Sequence, residues 1–77
     1  MPHIVVKMHA GRSEEQKQAL ADELAKALMS SLGSAESSVS VAIEDIPKED
    51  WTDKVYVPDI QLRPDIIYKK PGYNPFK

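Results

Sequence analysis

A chain of 77 residues with a formal net charge of −2 has room for one domain and a small core. It contains no cysteine, which excludes disulfides, cysteine-ligated zinc and thiol catalysis. Its mixed charges form no basic stripe for nucleic acid, its apolar runs are far too short to span a membrane, and its first residues do not form a signal peptide. We therefore expect a soluble cytoplasmic protein, a single domain over residues 1–77, that associates with further copies of itself because its own core is small.

The chain begins Met1-Pro2, and a proline in second position is small enough for the initiator methionine to be removed. Pro2 then carries a secondary amine at the chain terminus, which can act as a general base or as a nucleophile. If Met1 stays, the Pro2 nitrogen is an amide and can do neither. Pro2 is thus a candidate catalytic residue whose chemistry depends on the removal of Met1.

The first predicted element is a strand over residues 3–10, where apolar Ile4, Val6 and Met8 alternate with the other side chains. After a turn at Gly11-Arg12, a helix begins at a capping box formed by Ser13 and Gln16 and ends at Gly33. Leucines at every fourth position predict the helix face that packs on the core: Leu20, Leu24, Leu28 and Leu32.

Strand periodicity returns over residues 37–45, with Val39, Val41 and Ile43 on one face. The order strand, helix, strand predicts a βαβ unit of the α+β class, with parallel strands and a right-handed crossover. A two-stranded sheet covered by one helix is not stable alone. We therefore expect its open face, lined by His3, Val5, Ser40 and Ala42, to be completed by a second subunit.

The last third of the chain has weaker patterns. Pro47 starts a short turn or helix, while Pro58 and Pro64 are expected to break any long helix. One or two short helical pieces are indicated by spaced isoleucines: Ile60, Ile66 and Ile67. The segment Lys70-Pro71-Gly72-Tyr73 predicts a type II turn, with proline and glycine at its central positions.

Metal and phosphate sites find no support in the sequence. His3 and His9 lie about 20 Å apart along the predicted strand, so they cannot share a metal ion within one chain. No glycine-rich phosphate loop or nucleophile elbow is present. We expect neither a metal nor a cofactor.

Three segments together resemble the 4-oxalocrotonate tautomerase family: Pro2 opening the first strand, residues 11–17 opening the helix, and residues 38–41 opening the second strand. This resemblance covers residues 2 to about 51. The start Pro2-His3-Ile4, Trp51 and residues 69–73 further resemble the small, dimeric phenylenolpyruvate tautomerase-like branch. The resemblance implies a tautomerase-like fold and a cofactor-independent isomerase that interconverts enol and keto forms of 2-hydroxy-enoate or 2-oxo acids.

The resemblance also implies roles for individual residues. Pro2 matches the family's general base, Arg12 its carboxylate-binding arginine, and Trp51 an aromatic residue placed against the substrate. Ser40 stands where 4-oxalocrotonate tautomerase has a second arginine, which serves the far carboxylate of a diacid. Its presence favours a monoacid with an apolar tail, such as phenylenolpyruvate. His3, beside the proline, is a further candidate for substrate binding.

The positions of Pro2 and Arg12 predict how copies of the chain associate. Pro2 begins the first strand and Arg12 lies beyond its far end, about 25 to 30 Å away, so one chain cannot bring both to one substrate. A two-fold pair with antiparallel sheets places the start of each strand beside its partner's end. We therefore expect a homodimer, in preference to a hexamer, in which Arg12 acts in the neighbouring subunit's site.

Two other functions remain as alternatives. Hydration or dehalogenation of a 3-haloacrylate requires a water-activating carboxylate near Pro2, for which Asp53 and Glu44 are the candidates, and further cations. A non-catalytic dimerising or ligand-binding protein would keep the fold without the activity.

Overall fold

The computed structural model describes all residues from Met1 to Lys77 and divides them into two compact units, Met1–Ile46 and Pro47–Lys77. The first unit contains strand β1 (His3–His9), helix α1 (Glu14–Leu32), a 3-10 turn (Glu36–Ser38) and strand β2 (Ser40–Ile46). The second contains three shorter helices: a 3-10 turn (Lys48–Asp50), a π-helix (Thr52–Gln61) and a 3-10 turn (Pro64–Ile66). None of these helices is both long and apolar enough to cross a membrane.

The two strands form a parallel sheet, which confirms the predicted βαβ unit. Their register pairs His3 with Ser40 at one end and His9 with Ile46 at the other. Backbone hydrogen bonds continue at both ends, from the Ser40 N–H to the Pro2 carbonyl at 3.2 Å and from the Ala10 N–H to the Ile46 carbonyl at 3.1 Å. Parallel strands need a crossover connection, and helix α1 lies within the connection between β1 and β2.

Strand β2 begins three residues later than the sequence pattern predicts. The Ser38 N–H and hydroxyl both donate to the Ala35 carbonyl, at 3.0 and 2.9 Å, and close a 3-10 turn before the strand. Serine side chains compete in this way with regular backbone pairing. The local turn therefore delays the strand although the side-chain alternation already has period two.

Both ends of α1 follow the sequence prediction. The Gln16 N–H donates to Ser13 Oγ at 3.1 Å and the Ser13 N–H donates to Gln16 Oε1 at 3.0 Å, which completes the capping box. At the other end Gly33 adopts a left-handed conformation, φ 69° and ψ 21°, and its N–H donates to the Met29 carbonyl at 2.9 Å. These contacts satisfy backbone groups that a helix end leaves without partners inside the helix.

Helix α1 packs on the sheet face that carries Val41 and Ile43, and the first three leucines of its stripe are half-buried. The prediction is wrong for Leu32, which is 64% exposed. A helix of 19 residues extends about 28 Å, whereas a strand of seven residues extends about 23 Å. The helix is thus longer than the sheet that it covers, and its last residue has little to pack against.

The first unit has no fully buried residue. The two buried side chains both lie in the second unit, Val55 at 4% and Tyr56 at 8% exposed. On the sheet face away from α1, His3 and Ser40 are exposed and Val5 retains 46% of its surface. The face is thus exposed at three of its four predicted positions, and its completion by a second subunit stays a prediction.

Two predictions for the second unit are wrong. The helix Thr52–Gln61 continues through Pro58, because its wider turns, seen in the Leu62 N–H bonding to the Val57 carbonyl at 3.0 Å, give the proline ring more room than an α-helix does. Gly72 has no positive φ, so the segment Lys70-Pro71-Gly72-Tyr73 is not a type II turn. The Tyr73 side chain in this segment contacts Trp51 and Tyr56.

Candidate active site

Three of the candidate residues meet at the start of the sheet. The parallel register places His3 beside Ser40, and His3 Nδ1 lies 2.7 Å from Ser40 Oγ, a hydrogen bond between the two side chains. The Ser40 backbone N–H in turn donates to the carbonyl of half-buried Pro2 at 3.2 Å. Ser40 therefore contacts Pro2 through its backbone N–H and His3 through its side chain.

Met1 precedes this group and is fully exposed, at 105% of its reference surface. While Met1 is present, the Pro2 nitrogen is part of the Met1–Pro2 peptide bond and is therefore an amide. Removal of Met1 would leave the Pro2 amine at the end of an ordered strand.

Arg12 lies at the opposite end of β1. It follows His9 by three residues, and its Nη1 donates to the His9 carbonyl at 3.4 Å, a long and weak contact for an exposed side chain. The seven-residue strand β1, about 23 Å long, lies between Pro2 and Arg12. Within one chain the structure therefore does not bring the candidate base and the candidate carboxylate ligand together.

Trp51 lies in the second unit, directly after the 3-10 turn Lys48–Asp50. Its indole Nε1 donates to the hydroxyl of Tyr73 at 2.8 Å, and the Tyr73 ring lies 5.6 Å from that of Tyr56. A half-buried tryptophan needs a partner for its N–H, and Tyr73 supplies it. Tyr73 belongs to the predicted turn and to the family-like segment 69–73, but nothing in the local sequence pattern predicts its contact with Trp51.

The two carboxylates considered for water activation lie in different units of the chain. Glu44 pairs in register with Lys7 and lies four residues along β2 from Ser40, a separation of about 13 Å. Asp53 is exposed on the helix Thr52–Gln61 of the second unit. Glu44 is therefore distant from Pro2 along the sheet, whereas the role of Asp53 stays a prediction.

A charged cluster that the sequence did not reveal joins α1 to β2. Lys17 Nζ lies 2.7 Å from Glu14 Oε1 and 2.8 Å from Asp45 Oδ2, so one ammonium bridges two carboxylates. The hydrogen bond to Asp45, followed by that to Glu14, raises the pKa of Lys17 above its ordinary value. The cluster lies near the end of the sheet that is distant from Pro2, so we assign it a structural role.

Comparison with known proteins places these features in a family. The sequence model of the family described as Tautomerase enzyme matches residues 2–55 and begins at the candidate base. A probable tautomerase from Xylella fastidiosa is 52% identical over 74 residues, which cover 96% of this chain and 90% of that protein. Tautomerase PptA from Pectobacterium carotovorum is 46% identical over 76 residues, which cover 96% of this chain and 99% of that protein.

The fold has matches among solved structures as well. The 4-oxalocrotonate tautomerase isozymes from Methylibium petroleiphilum give a TM-score of 0.63 at 38% identity, over 65% of this chain and 81% of theirs. This match is shorter than the two sequence matches, which extend over nearly the whole chain. The chain belongs to the 4-oxalocrotonate tautomerase family and is an enzyme of the isomerase class, a tautomerase.

Proposed function

We propose that the chain, once Met1 is removed, is a cofactor-independent enol–keto tautomerase in which the Pro2 amine is the general base. The observation that carries this proposal is the place of Pro2. It is the first residue of the family match, it precedes β1 directly, and the Ser40 N–H binds its carbonyl. A terminal amine anchored in this way has a defined position from which to exchange a proton with a substrate.

The reaction requires one group that both accepts and returns a proton. The neutral amine accepts the proton of the enol hydroxyl, the electron pair of the O–H bond becomes part of the new carbonyl, and the double bond shifts. The resulting ammonium delivers a proton to the adjacent carbon, which restores the neutral amine. An amine can do this near neutral pH only if it is unprotonated, a form that apolar surroundings and nearby cations favour.

Arg12 is proposed to bind the substrate carboxylate in the site of a neighbouring subunit. The guanidinium matches a carboxylate with two parallel hydrogen bonds. Its position beyond the far end of β1 prevents it from reaching the Pro2 of its own chain, whereas a two-fold pair of antiparallel sheets brings it to its partner's Pro2. The open sheet face with Val5 supports such an association, and we favour a homodimer.

His3, Ser40 and Trp51 bear on the choice of substrate. The Ser40 hydroxyl is hydrogen-bonded to His3 and offers no fixed cation for a second carboxylate. Trp51, oriented by the Tyr73 hydroxyl, is suited to form an apolar pocket wall. We therefore propose a monoacid with an aromatic tail, such as phenylenolpyruvate, with Trp51 as an apolar pocket wall and His3 and Ser40 as further substrate-binding residues.

The test begins with the mass of the intact protein, which establishes whether Met1 is removed. Ketonisation of phenylenolpyruvate is then measured for the processed protein and for Pro2→Ala. We expect Pro2→Ala to lower kcat by about a hundredfold or more, the usual contribution of a general base. Pro75→Ala, a change in the exposed tail, is the matched control and leaves kcat unchanged.

Each other outcome has a defined meaning. Full activity of Pro2→Ala would show that Pro2 is not the base. Turnover of a 3-haloacrylate in preference to the enol would favour the hydratase or dehalogenase alternative. A processed protein that is folded and inactive on both kinds of substrate would support a non-catalytic ligand-binding protein.

A further inference from the structure

We propose that residues 56–77 form a second binding site, one that takes a small aromatic monocarboxylate. These residues surround a pocket with a volume of about 600 Å³ that lies wholly within the unit Pro47–Lys77. Its lining includes none of Pro2, Arg12 and Ser40. The proposal therefore goes beyond the tautomerase reaction and does not depend on Pro2 as its base.

The pocket has the size and the walls of a small-molecule site. Sites of this kind usually have volumes of about 300–1,000 Å³ and are lined mainly by apolar and aromatic groups. Tyr56, one of the most buried side chains in the protein, lines this pocket together with half-buried Ile60 and Ile67. The rings of Pro64 and Pro71 complete its apolar lining.

Aromatic rings beside the pocket favour a ligand that is itself aromatic. Tyr56 meets Tyr73 at a centroid distance of 5.6 Å with planes tilted by 50°, and meets Phe76 edge-on at 6.0 Å and 69°. Tilted and edge-on contacts are the arrangements that aromatic rings prefer. Phe76 keeps 59% of its surface exposed and Tyr73 48%, so ring surface remains for a further partner.

The charges around the pocket favour an anion. Lys70 and Lys77 line it, and no lining residue has a carboxylate side chain. Lysines elsewhere, at positions 17, 26 and 54, pair with carboxylates of this chain, whereas Lys70 and Lys77 form no such pair. Two cations beside an apolar pocket match a ligand that combines a ring with one carboxylate.

Tyr73 adds a polar contact and a connection to Trp51. Its hydroxyl accepts the hydrogen bond from Trp51 Nε1, so its own proton remains available for donation to an acceptor such as a carboxylate. Two carboxamides in the lining, Gln61 and Asn74, complete the polar groups. The one tryptophan of the chain is thereby bonded to a residue of the pocket.

The experiment is a titration of the processed protein with benzoate, in which binding is monitored by two-dimensional ¹⁵N NMR. Benzyl alcohol, which has the ring without the charge, and acetate, which has the charge without the ring, are the comparison ligands. We expect benzoate to shift the amide signals of Gly72, Tyr73 and the Gln61 and Asn74 side chains, and each comparison ligand to bind about tenfold more weakly.

Substitutions then test the lysines. We expect Lys70→Gln and Lys77→Gln each to raise the Kd for benzoate severalfold, and about tenfold together, because each removes a charge-assisted contact. Lys69→Gln is the matched control: it is an exposed neighbour that does not line the pocket, and it leaves the Kd unchanged. The dispersion of the NMR spectra verifies that every variant is folded.

The titration also separates this site from the proposed active site. If the proposal is correct, benzoate still shifts the signals of residues 56–77 in Pro2→Ala and Arg12→Ala, whether or not those variants retain tautomerase activity. Shifts centred on His3 and Ser40 that disappear in Arg12→Ala would overturn it. Equal weakening by Lys69→Gln and Lys70→Gln, or binding of acetate as tight as that of benzoate, would overturn it as well.

Discussion

His3 and Ser40 lie 37 positions apart in the chain, and their side chains are joined because β1 and β2 run parallel in one register. A shift of that register by a single residue would move Ser40 to the opposite face of the sheet. The strand pairing therefore decides which side chain stands beside the proposed base. Serine at this place instead of a cation is what restricts the proposed substrate to a monoacid.

At the same scale, Lys17 yields a prediction about stability. Its pKa is raised in the folded chain, chiefly by the hydrogen bond to Asp45, so the folded state holds this proton more tightly than the unfolded state does. The resulting stabilisation is fully present below the unfolded pKa, about 10.4, and is lost as the pH rises through the higher folded value. Lys17→Gln should slightly lower the free energy of unfolding at pH 8, and the difference should shrink as the pH rises through the folded pKa of Lys17.

Denaturant unfolding of both proteins at pH 8 and at a pH above the folded pKa of Lys17 measures this effect. Lys26→Gln is the matched control, since Lys26 pairs only with Glu23 on the exposed surface of the same helix. Exposed pairs of that kind contribute little. A Lys17→Gln difference that grew with pH, or that equalled the Lys26→Gln difference, would contradict the proposed linkage.

At the scale of secondary elements, the ends of α1 were predicted correctly because the groups that set them are local. Ser13 and Gln16 cap the first turn within four residues of sequence, and Gly33 ends the helix by its own backbone conformation. The stripe of leucines was predicted less well at its end. Whether Leu32 packs depends on how far the sheet extends beneath the helix, which is not a property of the helix sequence.

A pair of glycine substitutions tests the left-handed end of α1. An added Cβ meets nothing within 4 Å at either Gly33 or Gly72, but only Gly33 has a positive φ, of 69°. Gly33→Ala should therefore cost about 1 kcal/mol or more, from backbone strain alone. Gly72→Ala should be neutral or should stabilise the chain by up to about 1 kcal/mol, because alanine restricts the unfolded chain more than glycine does.

Thermal unfolding distinguishes these outcomes, since 1 kcal/mol shifts Tm by about 4–8 °C in a domain of this size. The comparison also tests the backbone conformation of residues 70–73. If Gly72→Ala destabilised the chain as much as Gly33→Ala does, Gly72 would have to be left-handed after all, as in the type II turn that the sequence first indicated.

At the scale of the whole molecule, the proposed site requires two chains, and mixing of variants tests this directly. Neither Pro2→Ala nor Arg12→Ala should be active alone. When they exchange subunits freely at equal amounts, half of the dimers are mixed, and each mixed dimer holds one intact site out of two. The activity should therefore return to about a quarter of the wild-type value.

Size-exclusion chromatography with light scattering determines the assembly, and mass spectrometry of tagged chains verifies that mixed dimers form. The matched control is a mixture of Pro2→Ala with Pro2→Ala/Arg12→Ala, in which no combination of chains restores a site. Mixed dimers without recovered activity would show that Arg12 does not act across the subunits.

The sequence by itself determined what depends on near neighbours: the strand periods, the capped helix, the βαβ order, and the family-like residues Pro2, Arg12 and Trp51. It also placed Pro2 and Arg12 at opposite ends of one strand, because an extended chain has a definite length. The tertiary structure alone decided the contacts between distant residues. The His3–Ser40 and Trp51–Tyr73 hydrogen bonds, the Lys17–Asp45 ion pair and the helix through Pro58 each depend on packing or on a hydrogen-bond pattern that sequence spacing does not encode.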